Sequence, residues 1–300
     1  MIDKYISYIS SVRRYSARTQ QIYRSVLESF FSYADKLDVN NVRNYEVWLL
    51  DEKKLTPRTV NLHLSVLSGY ASFLIKQGVL QSNPVRLTTR PKQEKRLPEF
   101  FREEAMEAYF SSTRGVPEFG SYRQQVARII ISILYNTGIR RAELIGLRRS
   151  SFDPERGKLN VLGKGDKMRQ IPLLPGLCKE ISLYLQKVDS KFQQLDKDAC
   201  LILTENGGPL YPVYVDRLIK QELGNVDGIS GRKSPHVLRH SIATELLDEG
   251  ADLNSIKEML GHSSLAATQV YTHNSIEKLK TVYNNAHPRA KNGGNNGNQN

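Results

Sequence analysis

The segment SPHVLRHSIATELLDEGAD (234–252) carries three side chains able to act on one small group. His236, Arg239 and His240 are spaced i, i+3, i+4, which places them on one face of a helix. His-x-x-x-His is also a zinc-binding spacing. Here the intervening residues are Val237, Leu238 and Arg239, so the glutamate of a zinc protease is missing. A guanidinium beside the ligands would also repel a cation. Arginine and histidine converging on one spot suit an anion better, above all phosphate. Further on, Tyr271 lies nine residues past His262. One tyrosine among 15 means little by itself. A phenol, with a pKa of about 10, is a poor nucleophile until nearby cations stabilise the phenolate. An Arg/His cluster holding a phosphodiester would do that.

The charge of the chain points the same way. Its 300 residues carry 43 Lys+Arg against 31 Asp+Glu, a formal net charge of +12. Residues 1–98 hold +8 of that excess and residues 99–300 only +4. A polyanionic partner is therefore expected, gripped mainly by the first third of the chain. Two cysteines, Cys178 and Cys200, cannot build a disulfide framework, and no Cys/His spacing suggests structural zinc. No apolar run of about 18 residues is present, which excludes a transmembrane helix. Met1-Ile2-Asp3-Lys4-Tyr5 lacks the pattern of a secretory signal, so a cytoplasmic protein with no membrane partner is expected.

The elements that must hold these residues are mostly helical. Ser16 caps a helix in which Ile22, Val26, Phe30 and Tyr33 form a stripe. Val42 to Leu50 supplies a shorter helix, and Thr56-Pro57 starts another with Val60, Leu64, Leu67, Ala71 and Leu74 on one face and Gly78 as its stop. After Asn83-Pro84, the stretch TTRPKQEKRLP (88–98) has two prolines, four basic residues and one leucine, and reads as an extended linker. Beyond it comes a helix with Glu103 and Glu104 in its first turn, then a buried one through Val126, Ile129, Ile130, Ile133 and Leu134 that ends near Gly138. A short helix through Leu144 and Leu147 follows. Leu159–Leu162 and Arg169–Leu174 are strands flanking a turn, Gly163 to Lys167. Helices return past residue 176, including Val237–Leu247 closed by Gly250 and Leu253–Leu260 closed by Gly261. The expected fold is mainly α: an N-terminal helical bundle (1–85), a basic linker (86–98), a mostly helical second domain with a small β-hairpin (99–290), and a low-complexity tail (291–300).

Four segments in order, TGIRRAELIGL (137–147), VLGKGDKMRQIPL (161–173), SPHVLRHSIATELLDEGAD (234–252) and LGHSSLAATQVYTH (260–273), resemble the tyrosine recombinases, or phage integrase family. Their order and spacing are most similar to the Xer-type site-specific recombinases, and the likeness runs to about residue 290. The resemblance implies that Arg140 is the first catalytic arginine and Lys164 the hairpin lysine. It implies likewise that His236 and Arg239 are the His-x-x-Arg pair, His262 a phosphate-contacting histidine, and Tyr271 the nucleophile. Arg140 and Arg239 would clamp the non-bridging phosphate oxygens. Lys164 would protonate the leaving 5′-oxygen, although Lys167 competes from the same turn. His236 would accept the tyrosine proton or orient the phenol. Glu143 and His240 would orient the catalytic set. The implied reaction joins Tyr271 to a 3′-phosphate, with no metal, ATP or other cofactor, and the chain has no Walker A sequence. The implied partners are duplex DNA recombination sites and further protomers, in a homo- or hetero-tetramer that passes through a Holliday junction. A segment at 274–290 would dock on a neighbouring protomer. Arg141-Ala142 in the first box, and Glu245 where histidine is common, depart from the family pattern.

Resolution of chromosome or plasmid dimers at cell division is the role expected of an Xer-type enzyme. The integrase or invertase of a mobile element would use the same six residues. A type IB topoisomerase shares the chemistry, but the N-terminal module and linker favour recombination. A silent DNA-binding regulator would have no need of Lys164 together with Tyr271.

Overall fold

Ser16, Asp38 and Thr56 each accept a hydrogen bond from the backbone N–H three residues on, at 3.3, 2.8 and 3.4 Å, and so start three of the first four helices. In this computed structural model, residues 1–92, 100–163, 166–193, 195–226, 229 and 231–261 are described. The chain forms two units, Met1–Arg96 and Leu97–Asn300, each with its own core.

The first unit contains α1 (Ile2–Ser11), α2 (Ala17–Tyr33), α3 (Val39–Asp51) and α4 (Pro57–Lys76). The α4 stripe is buried as its spacing requires: Val60, Leu64, Leu67, Ala71 and Leu74 all lie in the core, and Gly78 follows with φ of 71°. On α2 the stripe is narrower than expected. Val26 and Phe30 are buried with Leu27, whereas Ile22 and Tyr33 are exposed. Each four-residue step drifts by about 40° around a helix, so the ends of a long four-spaced stripe rotate off the core. A 3₁₀ turn (Pro84–Leu87) follows α4, capped by Asn83. The start of the linker is not free: Pro91 accepts a hydrogen bond from Asn61 (2.9 Å), and Arg90 donates to Ser65 (3.0 Å). With Arg58, Thr59 and Leu62 these residues line an open groove along α4.

The second unit runs α5 (Glu103–Ser112), α6 (Val116–Phe119), α7 (Tyr122–Thr137), α8 (Arg141–Gly146), β1 (Phe152–Asp153), β2 (Lys158–Leu162), β3 (Met168–Pro172), α9 (Pro175–Phe192), α10 (Pro212–Glu222), α11 (Pro235–Asp248) and α12 (Leu253–Leu260). Helix α7 is the central post, buried from Gln125 to Thr137 and packed against α9, α10 and α11. The sheet is antiparallel in the order β1-β2-β3, with Leu159 opposite Ile171 and Val161 opposite Arg169. Strand β1 is only two residues long, too short for alternation to reveal it.

Candidate active site

Glycines at two helix ends bring the site together. Gly138 closes α7 with φ of 60°, a left-handed conformation suited to glycine. Added bulk there would strike Leu260 of α12. Gly261 ends α12 in the same conformation, at φ of 66°. The chain leaving Gly138 passes directly into Arg140, the residue that caps α8.

Around these turns sit three arginines and one glutamate. Arg239, on α11, is 9% exposed and donates to Leu260 O (2.7 Å) and to Gly138 O. Arg140 donates to Gly261 O (2.8 Å) and to Glu143 Oε1 (2.9 Å). The Glu143 Oε2 atom also accepts from the Arg140 backbone N–H (2.8 Å), closing the first turn of α8. Arg169, on β3, holds both oxygens of the same carboxylate, at 3.0 and 2.8 Å, and donates through Nε to Met259 O (3.1 Å). The last carbonyls of α12 thus receive one guanidinium each. Cations belong there, because unsatisfied carbonyls collect at a helix C-terminus.

Three cations share one carboxylate, so the cluster keeps surplus positive charge. Burial would by itself raise the Glu143 carboxyl. Arg169, the Arg140 N–H and Arg140 outweigh it and hold Glu143 below its ordinary value, as an anion. Burial, with Arg140 and Arg169 nearby, lowers Arg239 to about 10, which leaves it charged at neutral pH. His236 lies at the start of α11 and is exposed. Partial desolvation, then Arg141, Arg239, His240 and Arg232, push its imidazole below the ordinary value. At neutral pH it is therefore neutral and has a nitrogen lone pair to accept a proton.

The structure accordingly brings Arg140, Glu143 and Arg239 into hydrogen-bonded contact around the turns that end α7 and α12, and sets His236 one helical turn before Arg239. His240 is exposed and does not enter this network among the described residues. Arg141, one of the two departures in the first box, forms an ion pair with Asp216 of α10. Lys164, His262 and Tyr271, as well as the 274–290 segment and the tail, lie outside the described residues. Lys167 is exposed beside the hairpin turn. Among the described residues, no group of three or more His, Cys, Asp or Glu is arranged to hold a metal ion, and no helix is long and apolar enough to cross a membrane. Arg169 had a legible signal in the sequence that motif matching passed over. It shares the inward face of β3 with Ile171, where a charged residue must have partners.

The chain thus joins a helical bundle to a mostly helical domain in which three arginines gather around Glu143. The phage integrase family matches residues 99–278, and the N-terminal SAM-like domain of the phage integrases matches residues 2–78. The tyrosine recombinase XerC of Bacillus licheniformis is 36% identical over 301 residues, covering 96% of each chain. Among solved structures, the integrase of transposon Tn1549 with transposon right end DNA aligns with a TM-score of 0.69 at 18% identity, covering 93% of this chain and 99% of that one. The XerH site-specific recombinase bound to its palindromic difH substrate aligns with a TM-score of 0.65 at 22% identity, covering 94% and 83%. These two likenesses establish a shared fold. The chain belongs to the phage integrase family. Within it, this is a site-specific tyrosine recombinase of the Xer type, an enzyme that cleaves and rejoins DNA.

Proposed function

We propose that the enzyme cuts and rejoins duplex DNA through a 3′-phosphotyrosyl bond to Tyr271, exchanging strands between two sites by way of a Holliday junction. The observation that carries this reading is the surplus of guanidinium charge around Glu143, which lacks a matching protein anion among the described residues. A scissile phosphate would complete it.

In the cleavage step, the Tyr271 oxygen attacks phosphorus and the bond from phosphorus to the 5′-oxygen breaks. Arg140 and Arg239 carry the charge that builds on the non-bridging oxygens. His236 takes the phenolic proton, for which its depressed imidazole suits it. Lys164 returns a proton to the 5′-oxygen, and His262 donates to a phosphate oxygen. The phosphodiester energy is kept in the new bond, so rejoining consumes no nucleotide. Residues 1–85 and the linker grip the duplex backbone, with Arg58 and Arg90 in the α4 groove as phosphate contacts. Four protomers, identical or of two kinds, act on two sites in the cytoplasm. The role we propose is dimer resolution at cell division, and a tyrosine recombinase XerC stands among the relatives at 36% identity.

The test is a nicked suicide substrate bearing candidate sites, read on a denaturing gel. A covalent protein–DNA adduct should form in EDTA and vanish in Tyr271→Phe. An adduct that persists in that variant removes the nucleophile assignment, and strict dependence on Mg²⁺ removes the mechanism.

A further inference from the structure

Arg169 is the most thoroughly buried of the three arginines around Glu143, at 5% exposure. Each of its three guanidinium nitrogens donates a hydrogen bond. Two N–H groups hold both Glu143 oxygens, and Nε–H holds Met259 O. It also packs against two glycines. A Cβ on Gly163 would come within 3.2 Å of Arg169 Nη1, and one on Gly261 within 3.1 Å of its Cζ. Both distances are tighter than ordinary contact, so a side chain at either position would require the Arg169 guanidinium to give way slightly. Gly163 immediately precedes Lys164, and Gly261 immediately precedes His262. One side chain therefore links the sheet, the carboxylate that caps Arg140, and the last turn of α12.

We infer that Arg169 is a positioning residue for the phosphate site: it fixes the Glu143 carboxylate, which fixes Arg140, and it anchors the α12 turn that receives Arg140 and Arg239. Arg169 is not itself placed to meet substrate. Its side chain is buried against Glu143, whereas Arg140 is the arginine with an open side chain, one third exposed. A planar, bidentate donor is needed at position 169. The lysine ammonium cannot grip two carboxylate oxygens and a carbonyl in that geometry. This inference rests on the reading of Arg140 as a phosphate ligand.

The test uses the full chain and a suicide substrate, with Arg169→Met and Arg169→Lys measured for DNA binding and for single-turnover adduct formation. Binding should stay near wild type while adduct formation slows about 10–100-fold in both, the usual range for residues that orient a ligand. If Arg169→Met does not fold, Arg169→Lys decides the matter. Adding Glu143→Gln to either variant should cost much less than the product of the two single effects, because both act through one carboxylate. The discriminating readout is a substrate with a neutral methylphosphonate at the scissile position. A variant that misplaces Arg140 loses charge stabilisation, so its defect should shrink on the neutral substrate, whereas a variant that only loosens the fold is slowed equally on both. Wild-type rates for Arg169→Lys, equal defects on both substrates, or multiplicative effects with Glu143→Gln would overturn the inference. A wild-type enzyme that forms no Tyr271-dependent adduct would instead overturn the functional reading beneath it.

Discussion

Arg128 and Arg239 are both buried guanidiniums in the second unit, 4% and 9% exposed, and they are neutralised in different ways. Arg128, on α7, faces Glu180 of α9 at 2.8 Å, and the other Glu180 oxygen accepts from Ser132 at 2.6 Å. Phe110 O and Thr113 complete the Arg128 set. Cation and carboxylate meet directly there, and the pair ties two helices together. Arg239 makes its two hydrogen bonds to backbone carbonyls and shares Glu143, at longer range, with Arg140 and Arg169. Carbonyl dipoles orient a guanidinium without cancelling its charge. On the proposed function, the place that Glu180 fills for Arg128 is filled for Arg239 by the scissile phosphate.

Removing a partner should separate the two regions cleanly. The largest effect on folding is expected for Glu180→Ala, which strands Arg128 and should cost about 3–5 kcal/mol in urea unfolding. Adduct formation per folded molecule should stay at the wild-type rate. Arg239→Ala should do the reverse, slowing adduct formation about 10²–10³-fold with little loss of DNA binding. A variant of either pair that lost stability and rate together would erase the distinction.

A third buried group sharpens it further. Glu245 is 8% exposed, and burial, with Glu103, Asp248 and Glu104 nearby, raises its carboxyl from 4.5 to about 7 against the opposing hydrogen bond from Tyr135 (2.8 Å). A carboxyl raised on folding binds its proton more tightly in the folded state. Its contribution to stability is therefore present below about pH 4.5 and is lost as pH climbs toward 7. Glu245→Gln should flatten that fall and leave the protein more stable than wild type above neutral pH, by up to about 3 kcal/mol. Unfolding curves taken between about pH 5 and 8 give the answer, and parallel curves for both proteins would contradict it.

Much of this arrangement is written locally in the chain. Ser16, Thr56-Pro57 and Gly138 mark helix ends because caps and left-handed glycines act within a few residues. The hairpin around Gly163–Lys167 is legible for the same reason, as are Arg140, Glu143 and Arg239, whose motifs are short and ordered. What escaped depends on distant partners. Arg128 and Glu180 are 52 residues apart, so neither announces the other. Arg169 meets Met259 across 90 residues, and only strand alternation hints that it points inward. Ile22 and Tyr33 obey helical spacing yet lie off the core, since a helix fixes which residues share a face and its neighbours decide how wide a face is covered.

The proposed mechanism makes Arg140 and Arg239 the counter-ions of one phosphate. It is tested most directly by comparing Arg140→Ala and Arg239→Ala on a scissile phosphodiester and on its methylphosphonate analogue, with Tyr271-linked adduct as the readout. Neutralising the phosphate should restore most of the lost rate, shrinking defects of about 10²–10³-fold to within about tenfold. Defects of equal size on both substrates would contradict the account.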